Sequence, residues 1–187
     1  MKKLFIGLFL LLFFCVAGAV GTLYYIRPDI GLNLEHRPVP VKQRVLSMVE
    51  RRSLELVLTE EDINNVIKES LSRNPRRSKD IEVQGAQFSL SGNILTADYS
   101  LKWKQRVTAA LRVTYLLSWN DPDIIGTVTD VRVKDISLPT SLAENIALPI
   151  GEQLPKPLKI KNVAFGDHEV KIAFQKPTLE DLRQLIR

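Results

Sequence analysis

The side chains best suited to chemistry are a run of three acids at Glu60–Asp62 and the turn histidine His168. Adjacent carboxylates can act as general acid and base or bind a cation. These three, however, directly follow Thr59, and acids in the first turn of a helix are favoured by the helix dipole alone. His168 has no nucleophile or orienting acid linked to it by spacing. We therefore predict that none of these residues is catalytic.

Signatures of metal, nucleotide and hydrolase chemistry are missing from the sequence. It contains no G-x-S-x-G, Walker, H-E-x-x-H or G-x-G-x-x-G motif. Asp121 and Asp123 flank a turn proline, and this loop supplies too few oxygens to bind calcium. The only cysteine, Cys15, lies in an apolar N-terminal run, which excludes disulfides and a structural zinc site. We predict a non-enzymatic protein without metal or cofactor.

Composition indicates one ordinary folded domain with an appendage. The chain has 187 residues, of which 45% are hydrophobic and 25% charged, with a formal net charge of +5. This excess of positive charge is too small to be typical of nucleic-acid binding. Beside a membrane, the basic clusters could attract anionic lipid headgroups or an anionic envelope polymer. The clusters are Arg51-Arg52, then Arg73, Arg76, Arg77 and Lys79, then Lys102, Lys104 and Arg106, and finally Lys156, Lys159 and Lys161.

Residues 1–27 are predicted to be a single transmembrane anchor. The apolar run from Leu4 to Ile26 would form a helix of roughly 34 Å, which is long enough to cross a bilayer. Lys2 and Lys3 precede the run, which places the N-terminus in the cytoplasm and the remainder outside the cell membrane. The alternative is a signal peptide cleaved after Ala19. The apolar run continues beyond that site, which favours a retained anchor.

Residues 28–40 contain several prolines without periodicity and are predicted to be a linker, followed by one extracytoplasmic domain at 41–187. The domain begins with a short helix at 41–52 and a strand at 54–58. A well-capped amphipathic helix follows at 59–73. Its apolar stripe comprises Ile63, Val66, Ile67 and Leu71; the side chains of Asn64, Lys68, Glu69 and Ser72 are expected to face away.

The central prediction is a two-faced β-sheet built around residues 94–119. Apolar and polar side chains alternate on both sides of a basic turn at 104–106, as expected for two strands with one buried face. Flanking strands at 81–90 and 124–136 show phase changes near Gly85 and Asp130, which indicate bulges and a curved sheet. The expected fold class is therefore α+β, with a curved antiparallel meander wrapped on the amphipathic helix and preceded by the transmembrane helix.

The C-terminal third is predicted to contain a helix at 140–152, interrupted by Pro149, then a hairpin turning at Gly166-Asp167, and a closing helix that begins at Thr178. Apolar residues of the helices and the sheet either fill a solid core or line a groove for an acyl chain, and the pattern alone leaves both open. The candidate groove residues are Ile63, Val66, Ile67, Leu71, Leu111, Val113, Tyr115, Leu117, Leu142 and Ile146.

Several phrases of the sequence resemble the YpmS-like family of membrane-anchored proteins from Gram-positive bacteria. They are the helix opening L-T-E-E-D-I-N at 58–64, V-x-G-x-x-F-x-L at 83–90, and I-S-L-P at 136–139 followed by Leu154-Pro155. The helix opening also resembles the tubular lipid-binding superfamily. That resemblance implies one module in which a curved sheet wraps a helix around a lipid groove, and it brings no catalytic residues.

The expected function is non-catalytic binding of a lipid or another amphiphile at the outer face of the cytoplasmic membrane. The alternative is an envelope interaction or scaffold module that has no cavity and serves a membrane or cell-wall enzyme complex. The expected partners are the lipid bilayer, a bound lipid or anionic envelope polymer, and an envelope protein; no nucleic acid is expected.

Overall fold

The computed structural model describes residues 2–28, 31–40, 44, 48, 53–76, 78–148, 150 and 159–176, with side chains from Phe14 onward. The elements are α1 (Lys2–Tyr25), β1 (Glu55–Thr59), α2 (Glu60–Arg73), β2 (Ile81–Ser91), β3 (Ile94–Trp103), β4 (Val107–Asn120), β5 (Asp123–Val133), β6 (Ile136–Leu138), a 3-10 helix (Thr140–Leu142), β7 (Ile146–Leu148), β8 (Ile160–Gly166) and β9 (Glu169–Phe174).

The described part of the chain confirms the α+β class and the curled antiparallel sheet. Within it, no helix is both long enough and apolar enough to cross a membrane. Of the predicted helix at 41–52, only Arg44 and Met48 are described, and both are helical. The predicted closing helix that begins at Thr178 lies outside the described residues.

The larger sheet has six strands in the order β2-β3-β4-β5-β6, with β7 paired to β5. Its long strands pair as the alternation predicted, so that apolar residues such as Ala97 and Val113 are direct cross-strand partners and are both buried. The register shifts between Val83 and Gly85, and again between Thr114 and Tyr115 where β4 faces Asp130. Both predicted bulges are confirmed, and they account for the curl because bulges increase the local twist.

A second sheet, which the sequence did not predict as a unit, joins β1, β9 and β8 in that order. Its buried side chains, including Leu56, Ile172 and Phe174, belong to the same core cluster as the larger sheet. Strand β8 contacts both β2 and β4. The small sheet and α2 therefore both cover the apolar face of the larger sheet, whereas the sequence pattern predicts that helices cover it.

Helix α2 begins as predicted, with a capping box between Thr59 and Asp62. It lies mainly against β2 and β1. Leu71 is fully buried, and Ile63 and Ile67 pack at the margin of the core. The prediction that Asn64 faces away is wrong, because this side chain is buried against β2.

The predicted helix at 140–152 is also wrong over residues 140–148, although Ile150 is helical. Residues 140–142 form one 3-10 turn, and Ile146–Leu148 form strand β7, which pairs with residues 124–126 of β5. Strand β5 offers unpaired backbone groups at that edge, and satisfying them outweighs a weak helical pattern that contains a proline. The Asn145 side chain extends the same edge by accepting the Val128 N–H at 2.9 Å.

Candidate functional site

The inner face of the six-stranded sheet is the candidate site, and it is closed at one end. We define the inner face as the side that carries Leu95, Ala97, Val113, Tyr115 and Leu117, all of which are buried. These residues share one hydrophobic cluster with Val163, Ile172 and Phe174 of the small sheet. This end of the inner face is therefore filled by protein side chains.

The other end of the inner face is less well covered. Further along the same strands, Tyr99, Leu101 and Leu111 are only half-buried, and Trp103 at the end of β3 is 50% exposed. All four lie on the side that the alternation predicted to be apolar. Apolar surface that stays accessible at one end of a curled sheet can accept an acyl chain that enters lengthwise.

The ten predicted groove residues are distributed unevenly around this face. Leu71, Val113, Tyr115 and Leu117 are buried; Ile63, Val66, Ile67, Leu111 and Ile146 are half-buried. Leu142 is 64% exposed on the 3-10 turn, because the helix that was expected to turn it inward does not form. Ile146 approaches the core from β7, where it lies against Gly126.

One polar atom on the inner face has no partner among the described residues. The indole Nε1 of Trp119 is buried, and no described group accepts its hydrogen. A buried donor of this kind costs free energy unless a water, another segment or a ligand satisfies it. Its position beside the apolar core was not recognisable from the alternation, which identified Trp119 only as inward-facing.

The C-terminal end of α1 contacts the open end of the sheet. The Ala110 N–H of β4 donates to the Ile26 carbonyl at 2.8 Å, where β5 no longer pairs with β4. The Tyr25 hydroxyl donates to Asp135 Oδ2 at 3.1 Å, and Lys134 Nζ lies 5.3 Å from the centre of the Tyr25 ring. The chain that leaves α1 is thus fixed next to the exposed end of the inner face.

Two open clefts flank these elements. One of about 380 Å³ lies at the end of α1 and is lined by Leu23, Arg27, Pro28, Arg106, Val107 and Thr108. The other, of about 410 Å³, lies between the predicted linker and α2 and is lined by Asn33, Glu35, His36, Arg37, Glu61 and Asn65. Neither cleft is lined by any of the ten groove residues, or by His168.

Residues of the predicted linker are attached to the domain. Asn33 O accepts the Ala86 N–H at 3.3 Å, and the Arg37 N–H donates to Asn65 Oδ1 at 3.0 Å. Gly85 permits this approach, since a Cβ atom there would lie 2.1 Å from Leu32 O. The linker therefore covers part of the free edge of β2.

Helix α2 covers a further part of that edge with side chains rather than with a strand, and the segment after α2 covers its beginning, where the Val83 N–H donates to the Pro75 carbonyl at 2.8 Å. An exposed strand edge is an aggregation hazard unless its backbone groups are satisfied. Asn64 behaves like a paired residue of a neighbouring strand, because its amide also donates to the Phe88 carbonyl. Further along β2, three backbone N–H groups on this edge have acceptors. The Ala86 N–H donates to the Asn33 carbonyl, the Phe88 N–H to Asn64 Oδ1 at 2.8 Å, and the Leu90 N–H to Glu60 Oε2 at 2.8 Å.

The predicted acidic run divides into three separate roles. Glu60 bonds to Leu90 and lies 2.9 Å from His168 Nδ1, Glu61 borders the linker cleft, and Asp62 caps α2 and pairs with Arg44. Burial would raise the pKa of Asp62, but hydrogen bonds from Arg44 and Thr59 hold it below its ordinary value. Glu60 and Asp62 therefore join elements of the fold.

His168 has an acidic partner that sequence spacing did not reveal. The hydrogen bond to Glu60 raises the pKa of the His168 imidazole. Burial would raise the pKa of Glu60, but the Leu90 N–H and His168 together lower it. The pair lies outside both clefts described above. Among the described residues, no cluster of three or more metal-ligating side chains occurs.

No protein-family model, curated protein or solved structure matches this chain.

Proposed function

We propose that this chain is a non-catalytic lipid-binding protein, held by α1 at the outer face of the cytoplasmic membrane, whose inner face takes the acyl chain of a lipid or another amphiphile. The observation that carries the proposal is the gradient along the inner face. Leu95 is 1% exposed at the closed end, and Trp103 is 50% exposed at the open end of the same strand. An acyl chain that enters at the open end would pack against the half-buried inner-face residues and continue the hydrophobic core.

The position of α1 supports the same function. No helix of the described residues qualifies as a membrane span, so the anchor is proposed from the sequence: the uncharged run from Leu4 to Ile26 would be roughly 34 Å long as a helix. Because Ile26 bonds to Ala110, the open end of the inner face would lie close to the surface of a membrane that α1 spans. Lipid could then pass from bilayer to protein over a short distance. Membership of the YpmS-like family, and kinship with tubular lipid-binding proteins, are parts of this proposal.

The function is tested with the full chain in nanodiscs that contain a phospholipid with a photoactivatable diazirine in its acyl chain. After irradiation, peptide mass spectrometry should find adducts on the half-buried inner-face residues Leu101 and Leu111 as well as on α1. Adducts confined to α1 would refute binding by the inner face. An absence of adducts on α1 would refute the anchor itself.

A matched pair of variants on β4 sharpens the test. Leu111 lies on the inner face, and Leu116 lies on the opposite face, where it is 43% exposed. We expect Leu111→Asn to reduce inner-face labelling, because it places an amide where an acyl chain would pack. Leu116→Asn should leave the labelling unchanged. Equal effects of the two substitutions would indicate a general loss of folding.

One observation favours the alternative of an interaction module. Ile94 and Leu116 are direct cross-strand partners on the outer face, and 45% and 43% of their respective surfaces are exposed. A pair of accessible aliphatic side chains on a sheet can contribute to a protein contact. If Leu116→Asp abolished chemical cross-linking of the full chain to an envelope protein, and inner-face labelling by lipid were absent, the scaffold function would replace the lipid-binding one.

A further inference from the structure

Basic residues that are far apart in the sequence meet at one end of the domain, which we call the basic end. It is formed by the β3–β4 turn, the loop before β2 and the chain that leaves α1. The Lys104 backbone N–H donates to the Asp80 carbonyl at 2.7 Å, and Lys102 lies opposite Glu82 in the register of β3 and β2. The Ile26 carbonyl accepts a backbone hydrogen bond from β4. Its basic residues are Arg27, Arg76, Lys79, Lys102, Lys104 and Arg106.

These six side chains make no ion pair with any described residue. Lys104 lies 5.0 Å above the ring of Trp103 instead. Three acids are nearby, Asp80, Glu82 and Asp135; Glu82 is hydrogen-bonded to the Gln105 amide, and Asp135 accepts a hydrogen bond from the Tyr25 hydroxyl. The basic end therefore has an uncompensated positive charge that is available to an anionic partner.

The opposite end of the sheet has the opposite character. In an antiparallel meander the β2–β3 and β4–β5 turns lie together, away from the β3–β4 turn. The β4–β5 turn carries Asp121 and Asp123, and Asp167 bonds to the β2–β3 turn through Gly92 N at 3.0 Å. Positive and negative charges are thus concentrated at opposite ends of the strands, and the C-terminal end of α1 contacts the positive end.

The basic end also exposes apolar side chains. Trp103 and Ile81 are cross-strand partners, and each is exposed by more than a third. Leu23 of α1 borders the nearby cleft with Arg27 and Arg106. Tryptophan, aliphatic groups and unpaired basic residues together are typical of protein surfaces that lie in the headgroup region of a bilayer.

We infer that the basic end is a docking surface for an anionic lipid bilayer. The partner is the membrane that α1 enters, because the surface is continuous with the end of α1 and its charge is complementary to that of anionic headgroups. Docking would orient the domain with the open end of the inner face toward the lipids. This inference rests on the proposed membrane anchor.

The test uses the full chain with Trp119→Phe, which leaves Trp103 as the sole tryptophan. The protein is placed in nanodiscs of phosphatidylcholine alone, or of phosphatidylcholine mixed equally with phosphatidylglycerol. Trp103 emission and its quenching by brominated phospholipids report contact with the bilayer. We expect a blue shift and strong quenching in the anionic nanodiscs, and little of either in the neutral ones.

The charge variant is Lys79→Gln with Arg106→Gln, which leaves the Trp103–Lys104 contact in place. Each basic residue near an anionic surface contributes a factor of about five, so the ratio of docked to undocked protein should fall roughly 30-fold. The control, Lys161→Gln with Lys171→Gln, removes the same charge from exposed positions on β8 and β9 and should match the parent.

Three results would overturn the inference: equal quenching in neutral and anionic nanodiscs, no quenching in either, or equal effects of the two double variants. A blue shift that needs added soluble polyphosphate rather than anionic lipid would assign the surface to an anionic polymer, and would overturn it too. Photolabelling of the inner face in neutral nanodiscs does not depend on docking. A failure of docking is therefore distinguishable from a failure of lipid binding.

Discussion

His168 Nδ1 lies 2.9 Å from Glu60 Oε2, the carboxylate oxygen that also accepts the Leu90 N–H at 2.8 Å. Glu60 begins α2, Leu90 belongs to β2, and His168 lies in the β8–β9 turn. The contact therefore joins the larger sheet, the small sheet and the helix at one point. The His168 backbone strengthens the joint, since its N–H donates to Leu90 O and its carbonyl accepts from Glu60 N.

This joint predicts a pH dependence of stability. The pKa of His168 is raised, so its contribution is complete below the ordinary value of 6.5 and is lost as the pH rises through the folded-state value. The pKa of Glu60 is lowered, so its contribution is complete above the ordinary value of 4.5 and is lost as the pH falls through the folded-state value. Both contributions are complete between pH 4.5 and 6.5.

Chemical denaturation at a series of pH values checks this prediction. Glu60→Gln should reduce the alkaline decline in the free energy of unfolding, because it removes the main cause of the raised pKa of His168 and leaves only the attraction of Asp167. His36→Gln is the matched control, since among the described residues the His36 ring is hydrogen-bonded to the Leu34 carbonyl and to no acid. A decline that persists unchanged in Glu60→Gln would show that another group causes it.

Asn64 should be among the polar residues most important for stability. Asn64→Asp keeps the acceptor for the Phe88 N–H but removes the donor to the Phe88 carbonyl and adds a buried charge. We expect it, and Asn64→Ala, to lower the free energy of unfolding by about 2–4 kcal/mol. Ser70→Ala on the exposed side of α2 should change it little. Similar values for the Ser70 and Asn64 variants would mean that the edge of β2 does not need the amide.

Gly85 should not tolerate a side chain. In Gly85→Ala the added Cβ would meet Leu32 O at 2.1 Å, so the 31–34 segment would have to move away from β2. We expect a loss of about 1–3 kcal/mol and faster proteolysis within residues 31–40. Gly166→Ala is the control, because its Cβ would meet its nearest neighbour at an ordinary 3.5 Å. Unchanged proteolysis in Gly85→Ala would contradict the attachment of the linker.

The small sheet should contribute to the core through one face only. Ile172 is 1% exposed, and Val57, on the neighbouring strand, is 37% exposed. Ile172→Ala should lower the free energy of unfolding by about 2–5 kcal/mol, and Val57→Ala by less than about 1 kcal/mol. Equal losses, measured by urea titration, would contradict the burial of the small sheet against the larger one.

The sequence by itself determined the elements whose pattern is local. The alternation over 94–119 identified β3 and β4, the phase changes located both bulges, and Thr59 followed by three acids located the start of α2. Each of these signals lies within one continuous stretch of sequence and follows from the local periodicity of the backbone and from side chains close to it in the chain. The gradient of exposure along the inner face has no such local signal, because alternation fixes the side of a residue but not what covers it.

Only the tertiary structure decided which segments cover the sheet and which polar groups close its edges. β1 pairs with β9 across more than a hundred residues, and Glu60 meets His168 over a similar separation. Residues 146–148 became a strand because the edge of β5 was open, a condition that their own sequence does not contain. Such choices depend on satisfying backbone hydrogen bonds and burying apolar surface across the whole fold, so no short stretch of sequence specifies them.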